Sequence, residues 1–201
     1  MRGSLNARGT ARAKLAILLA AMLLLSHLPA LAADGEGAVS PVEFTVVRKT
    51  ERNLDALLER FDVAAPMEVI GSTRAVYVAG TGMVYSLEVS LSPAVGISPF
   101  FTKVPPEEVE RIRQAKQLRV PVLRDLLLAH MPELAVALKG LPASEDLVLG
   151  ATMFYFPYED LKGLPRQIIV RGKAGELRKL HSSREQAKAA QVAAISKVTT
   201  Y

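Results

Sequence analysis

Residues 75–91 read AVYVAGTGMVYSLEVSL, in which a Gly-Thr-Gly sequence at 80–82 separates two apolar runs. In the second run, apolar side chains alternate with small or polar ones, a period of two that is typical of a half-buried β-strand. Glycine readily adopts the positive φ angles that tight hairpin turns require. The stretch therefore predicts a β-hairpin whose core-facing residues are Tyr85, Leu87, Val89 and Leu91.

The two glycines also raise the hypothesis of a phosphate-binding loop. A dinucleotide fingerprint needs a third glycine, where this chain has Tyr85, and a Walker loop needs Lys and Ser/Thr where Met83 and Val84 stand. The hairpin resembles the phosphate loop of actin-type ATPases, but Val78 and Ala79 replace the acidic residue of that family. The turn is therefore favoured, and a nucleotide site would need an acid from elsewhere in the chain.

The segments around the hairpin predict helices and further strands. Residues 42–47 suit a strand, although one continuous helix from about Pro41 is an alternative, and Thr50 is a candidate helix cap. A helix is expected to begin at Pro106 and to restart at Pro121. A kink or division is expected at Pro132 and an end at Gly140, with two more strands in 145–157 and 166–172. We predict an α+β domain with a small, mainly antiparallel sheet covered by helices on one side.

Residues 1–32 have the layout of a cleavable Sec-type signal peptide. A basic start precedes the eleven-residue apolar run Leu15–Leu25, and the small residues Ala30 and Ala32 precede a cut before Ala33. An uncleaved anchor is the alternative, but a membrane span needs about 20 apolar residues. The pattern predicts a secreted or periplasmic protein that has no transmembrane segment once it is cleaved.

The predicted organisation is a signal peptide at 1–32, a flexible leader at 33–40, an α+β domain at 41–173 and a basic helical tail at 174–201. The chain has no cysteine, so no disulfide, thiolate chemistry or lipid-modified cysteine is available.

Charge is distributed unevenly along the chain. Residues 33–161 hold 12 basic and 18 acidic side chains, whereas residues 162–201 hold nine basic and two acidic ones. The basic end is interpreted as a solvated helix, as a segment docked on the acidic body, or as a binder of an anionic surface through Arg178 and Lys179. Nucleic acid is not expected as a partner, because the tail lacks stacking aromatic residues.

Two further groups of side chains are candidates for chemistry or binding. Glu159 and Asp160 follow an aromatic cluster and could act as the two carboxyl groups of a glycoside hydrolase, with Tyr155 and Tyr158 as a carbohydrate platform. Ordinary strand packing is the alternative for the aromatic residues. Phe100 and Phe101, in the proline-rich stretch 92–106, either pack on the core or contact a partner.

The composition favours binding over catalysis. Beyond the signal, the only histidines are His130 and His181, which lack the spacing of a zinc site, and there is no Gly-x-Ser-x-Gly elbow. We therefore expect neither a metal nor another cofactor.

The segments GSTRAVYVAGTGMVYSLEVSL and LVLGATMFYFPYEDLKGLPRQIIV, at 71–91 and 147–170, resemble a family of exported bacterial proteins without an assigned function. The resemblance implies export and supports the strand assignments, and it carries over no catalytic residues. The prediction is a non-enzymatic binding or accessory protein of the bacterial cell envelope. Its partner would be an anionic envelope surface or another envelope protein. The alternative is an envelope hydrolase of the carbohydrate type that uses Glu159 and Asp160.

Overall fold

A computed structural model describes residues 40–62, 67–91, 104–182 and 189–201. Within these ranges the chain forms four helices and six strands, which confirms the α+β class. The elements are α1 (Phe44–Arg60), β1 (Glu68–Val69), β2 (Arg74–Val78), β3 (Gly82–Ser90), α2 (Pro106–Ala137), β4 (Asp146–Met153), β5 (Gln167–Lys173), α3 (Ala174–Ser182), α4 (Ala189–Ile195) and β6 (Ser196–Thr200). The predicted signal peptide and residues 33–39 of the predicted leader lie outside the described residues.

The strands form one mixed sheet that is mostly antiparallel, as predicted. β1 and β2 pair along the same edge of β3, and the sheet continues through β4 and β5 to β6. Only the β3–β4 pair is parallel. Parallel neighbours need a crossover connection, and here that connection contains α2.

The glycines at 80 and 82 form the turn of the β2–β3 hairpin, which confirms the turn interpretation. Both have positive φ angles, 75° at Gly80 and 131° at Gly82, and the Thr81 N–H donates to the Val78 carbonyl at 2.9 Å. A Cβ atom at Gly82 would lie 1.9 Å from the backbone oxygen of Asp146. The second glycine is therefore required by the close approach of β4 as well as by the turn.

The hydrophobic core lies between one face of the sheet and the helices. The four residues of 85–91 that were predicted to face the core are all buried. Alternate residues of β4 and β5 join them, including Leu149 and Val170, and the helices contribute Leu54 and Leu127. The other face of the sheet carries exposed side chains such as Val76, which confirms that the described helices cover one side.

The segment after Pro41 is helical, so the strand interpretation of residues 42–47 is wrong and the alternative is confirmed. The buried stripe of α1 already begins at Val47 and continues through Leu54 and Leu58. Thr50 is not a cap, because it lies inside α1. Its hydroxyl donates to the Val47 carbonyl at 2.8 Å and accepts from the buried Tyr85 hydroxyl at 2.6 Å, which ties α1 to the sheet.

The α2 helix begins at Pro106, as predicted, but does not restart at Pro121. It runs for 32 residues through Pro121 and Pro132. An internal proline costs about 3 kcal/mol because it removes a hydrogen bond and crowds the preceding turn. Burial of Leu127 and Met131 in the core offsets this cost, so the helix stays continuous.

The C-terminal segment is not one helix. It forms α3 and α4 and then β6, which pairs antiparallel with β5. Leu177 and Val192 are fully buried, so its sparse apolar residues do dock on the core. The β-branched residues at 198–200 favour a strand, and the open edge of β5 offers them hydrogen bonds.

The outer edge of β2 is covered by two carboxylates of α1. Glu51, 5% exposed, accepts the Ala75 N–H at 2.8 Å, and Asp55 accepts the Thr73 N–H at 3.0 Å. Glu51 and Asp55 are one helical turn apart on α1. Their partners, Ala75 and Thr73, are two residues apart at the start of β2. The helix therefore satisfies two edge donors that could otherwise pair with another strand.

The turn glycines are expected to differ sharply in their tolerance of alanine. Gly82→Ala should lower the free energy of unfolding by at least about 3 kcal/mol, because its Cβ would overlap the Asp146 carbonyl at a strained φ. Gly80→Ala has open space and should cost only about 1 kcal/mol. Urea unfolding measures both variants, and equal losses would contradict the close packing at Gly82.

Candidate functional site

Glu159, one of the two candidate catalytic acids, is part of a buried ion pair. Its side chain is 3% exposed, and the Lys116 ammonium of α2, itself 1% exposed, lies 2.8 and 2.6 Å from the two carboxylate oxygens. The Phe156 N–H also donates to Glu159 Oε1 at 3.2 Å. Oε1 therefore accepts two hydrogen bonds, whereas Oε2 contacts the ammonium but accepts no hydrogen bond from the described residues. The pair ties the β4–β5 loop to α2.

Tyr155 packs against the same ion pair. The Lys116 ammonium lies 4.9 Å from the centre of its ring, within the range of a cation–π contact. Its hydroxyl donates to the Pro165 carbonyl. Burial, together with the charge of Glu159, raises the pKa of Tyr155 to about 12. The phenol thus stays protonated at neutral pH and serves as a structural donor inside the loop.

Asp160 and Tyr158 lie in different surroundings. The Asp160 side chain is 48% exposed, accepts the Lys162 N–H at 3.0 Å and lies 3.4 Å from the Arg113 guanidinium. The Tyr158 ring stacks on Phe156, with centroids 5.4 Å apart. Glycoside hydrolysis requires two carboxyl groups that face each other across a cleft. Here one acid is buried against a lysine, and its neighbour pairs with an arginine at the surface.

The sheet register brings an acid next to the hairpin glycines, which the nucleotide hypothesis would need. Asp146 pairs with Gly82, and its side chain is 5% exposed. Arg171 Nε and Lys173 Nζ contact its two oxygens at 2.8 and 3.0 Å. Burial alone would raise the pKa of Asp146, but the hydrogen bonds and charges of Arg171 and Lys173 outweigh it and hold the pKa below its ordinary value.

Asp146 is therefore neutralised by cations of its own sheet. This differs from the acid of actin-type ATPases, which helps to organise a metal. In the described ranges, no group of three or more His, Asp or Glu side chains could hold a metal ion.

Several cations of the basic C-terminal segment dock on the body of the protein. Arg171 and Lys173 contact Asp146, and a guanidinium nitrogen of Arg178 donates to the Leu141 carbonyl. Lys179, which was also proposed for binding, is exposed. The docked interpretation therefore applies to part of the segment. Arg184, Lys188, Phe100 and Phe101 lie outside the described residues.

The sheet presents a second face that the described helices do not cover. We call it the uncovered face; it consists of Glu68 of β1, the even-numbered residues of β2, β3 and β4, and the odd-numbered residues of β5 and β6. A row of three valines, Val76, Val84 and Val148, runs across its first three strands. Val76 is 58% exposed and Val78 is 43% exposed.

Cations flank the valines on both sides. Arg74 lies on β2, while Arg171 and Lys197 lie directly opposite each other on β5 and β6. The Arg171 and Lys173 side chains are 52% and 49% exposed although they contact Asp146. The surface thus combines an apolar centre with cations on β2, β5 and β6, while Glu68 and Glu88 add negative charge on β1 and β3.

Sequence reasoning did not identify the uncovered face as a site. The alternation of β3 indicated that one side of that strand is polar. The sequence of β2, however, does not indicate whether its valines face the core or the opposite side of the sheet. That information comes from the strand register and from the side on which the helices pack.

Comparison of this chain with protein-family models, with curated proteins and with solved structures gives no match. Among the described residues, no helix is long and apolar enough to cross a membrane.

His130 lies on α2 in a mostly buried position beside a cavity of about 400 Å³, which Arg60 of α1 also lines. Its Nδ1 atom is 3.2 Å from Glu133. Burial lowers the pKa of His130 below its ordinary value, although the charge and hydrogen bond of Glu133 oppose that change.

Removal of one partner from the buried ion pair should be far more costly than removal of a surface partner. Lys116→Met leaves Glu159 buried without its cation and should lower the free energy of unfolding by about 3–5 kcal/mol. The double variant Lys116→Met/Glu159→Leu should recover most of that loss. Arg111→Met, which breaks an exposed pair on the same helix, should cost at most about 1 kcal/mol. Urea unfolding compares the three, and a double variant no more stable than Lys116→Met would contradict this account.

Stability should fall in mildly acidic solution because of His130. Its folded pKa is lower than its unfolded pKa, so the unfolded chain binds a proton first as the pH drops through about 6.5. One such group contributes a slope of at most about 1.4 kcal/mol per pH unit. His130→Gln should therefore lose less stability than the wild type between neutral pH and pH about 5. Identical pH dependence of urea unfolding in the two proteins would refute a role for His130.

Proposed function

We propose that this chain is an exported, non-enzymatic accessory protein of the bacterial cell envelope that acts by binding through the uncovered face. The observation that carries the proposal is the valine row Val76, Val84 and Val148, of which Val76 is exposed and the other two are half-buried. Two exposed cations on the same face, Arg74 and Lys197, form no ion pair with any described residue. Isolated exposed apolar residues are ordinary, whereas apolar residues that adjoin one another and are bordered by polar or charged residues are typical of contact sites.

Export is proposed from the sequence of residues 1–32, whose basic, apolar and small-residue regions follow the order of a secretory signal. The absence of cysteine is compatible with export, because a domain of this length can fold around its own core. Periplasm and extracellular space are both consistent with the signal.

Binding has more support than catalysis. The hydrolase alternative depends on Glu159 and Asp160, and the first of these is engaged by Lys116 and a backbone N–H. Tyr155, its proposed carbohydrate platform, is covered by the same ammonium group. The partner that we propose is an anionic component of the envelope, either its surface or an envelope protein, because the face has more cations than anions.

Co-sedimentation with isolated bacterial envelopes tests the proposal. A protein of residues 33–201 contains every described element, and deletion of residues 162–201 would remove β5 and β6 from the sheet. Substitutions on the surface are therefore better probes than truncation. Val76→Ser/Val78→Ser should reduce the pelleted fraction several-fold, since it removes exposed apolar area from the uncovered face.

Leu118→Ser is the matched control, because Leu118 is 74% exposed on α2, away from the sheet. This variant should pellet like the wild type. Failure of the wild-type protein to pellet with envelopes, or equal losses in both variants, would count against the proposed function.

A further inference from the structure

We propose that the uncovered face docks on an anionic lipid bilayer, with its cations at the headgroups and its valines against the headgroup–acyl boundary. The inference rests on the proposed function and names the chemistry of the partner.

The charge of the face is positive even after its internal ion pairs are counted. Four cations, Arg74, Arg171, Lys173 and Lys197, stand against three carboxylates, Glu68, Glu88 and Asp146, which leaves a net charge of +1. Asp146 is 5% exposed and buried beneath two of the cations, so it presents little negative charge to a partner. Among the described residues, Arg74 and Lys197 form no ion pair, so both remain free to contact an anion.

The apolar centre distinguishes a bilayer from a polymer of anionic groups. Val76, Val84 and Val148 are cross-strand neighbours in a row. Ile169 lies on the same face beside Gly150. A teichoic or polysaccharide phosphate would contact the cations and leave these side chains in water. A bilayer surface offers anionic headgroups and apolar chains within a few ångströms of each other, and both kinds of residue then gain contacts.

A second copy of this chain is a poorer occupant. Face-to-face pairing would place the four cations of each of two identical surfaces in one interface, with two exposed acids of each copy, Glu68 and Glu88, to offset them. Like charges repel more strongly when they are removed from water, so an interface between two copies would be destabilised. An anionic bilayer instead places opposite charges against the cations. The long stems of Lys197 and Arg74 suit a lipid partner, because their methylene groups can lie along apolar surface while the charged ends stay in the headgroup layer.

Vesicle flotation tests the inference with protein of residues 33–201. Vesicles of phosphatidylcholine alone are compared with vesicles that also contain phosphatidylglycerol, at low and high salt. The wild type should bind only the phosphatidylglycerol vesicles and should be released by salt. Arg74→Gln/Lys197→Gln should weaken that binding by about 30-fold, the effect expected for two cations near an anionic surface. Both residues are exposed, so folding should not change, and urea unfolding verifies this.

The control is Lys49→Gln/Lys139→Gln, which removes the same net charge from exposed positions in α1 and after α2. It should alter binding by no more than about 3-fold, because neither residue lies on the uncovered face and charges that do not reach the surface are screened by salt. Equal weakening by the two double variants would overturn the inference, since net charge alone would then explain binding. Binding to envelopes without binding to phosphatidylglycerol vesicles would also overturn it, while the proposed function stands with a protein partner. A protein that binds neither would refute both.

Discussion

The parallel pairing of β3 with β4 constrains the rest of the structure. Parallel neighbours cannot be joined by a tight turn, so the chain must leave the sheet after β3 and return to the same end before β4. The connection contains the 32-residue helix α2, and its apolar side covers the face that carries Tyr85 and Leu149. The other helices contribute to the same core, through residues such as Leu54, Leu177 and Val192. The consequence is a two-layer domain whose sheet has one packed face and one uncovered face.

The same register determines the chemistry around the hairpin. It places Gly82 so close to the Asp146 backbone that a side chain cannot be accommodated there. It also places the Asp146 carboxylate on the uncovered face at the start of β4, where β5 brings Arg171 and Lys173 beside it. A motif that resembles a phosphate loop thus becomes a turn whose nearest acid is neutralised by its own sheet.

Local patterns predicted the parts of the fold that depend on local interactions. The alternation in 83–91 and the paired glycines were sufficient for the hairpin, because side-chain period and turn φ angles are properties of a few neighbouring residues. Residues 42–47 were ambiguous since valine suits a strand, and only packing of Val47 beside Leu54 decides for a helix. β6 was missed because its stability comes from the open edge of β5, a partner that the segment itself does not encode.

The candidate site illustrates the same limit. Glu159 and Tyr155 were singled out because acids beside aromatic residues suit carbohydrate chemistry. The residue that determines their role, Lys116, lies 43 positions before Glu159 in the chain, and no spacing rule connects it to either residue. The uncovered face could not be predicted from sequence, because a valine on a strand does not reveal whether a helix will cover it.

The uneven charge along the chain acquires a structural meaning from the strand order. β5 and β6 carry Arg171, Lys173 and Lys197 to one side of the uncovered face, and Asp146 is the acid of β4 that reaches them. The Asp146 carboxylate forms ion pairs with Arg171 and Lys173 but not with Lys197, whose charge is exposed at the surface. One part of the basic segment therefore stabilises the sheet while another part remains available to a partner. Because the two roles fall on different residues, substitution at Lys197 can probe binding without removing an interaction that holds the strands together.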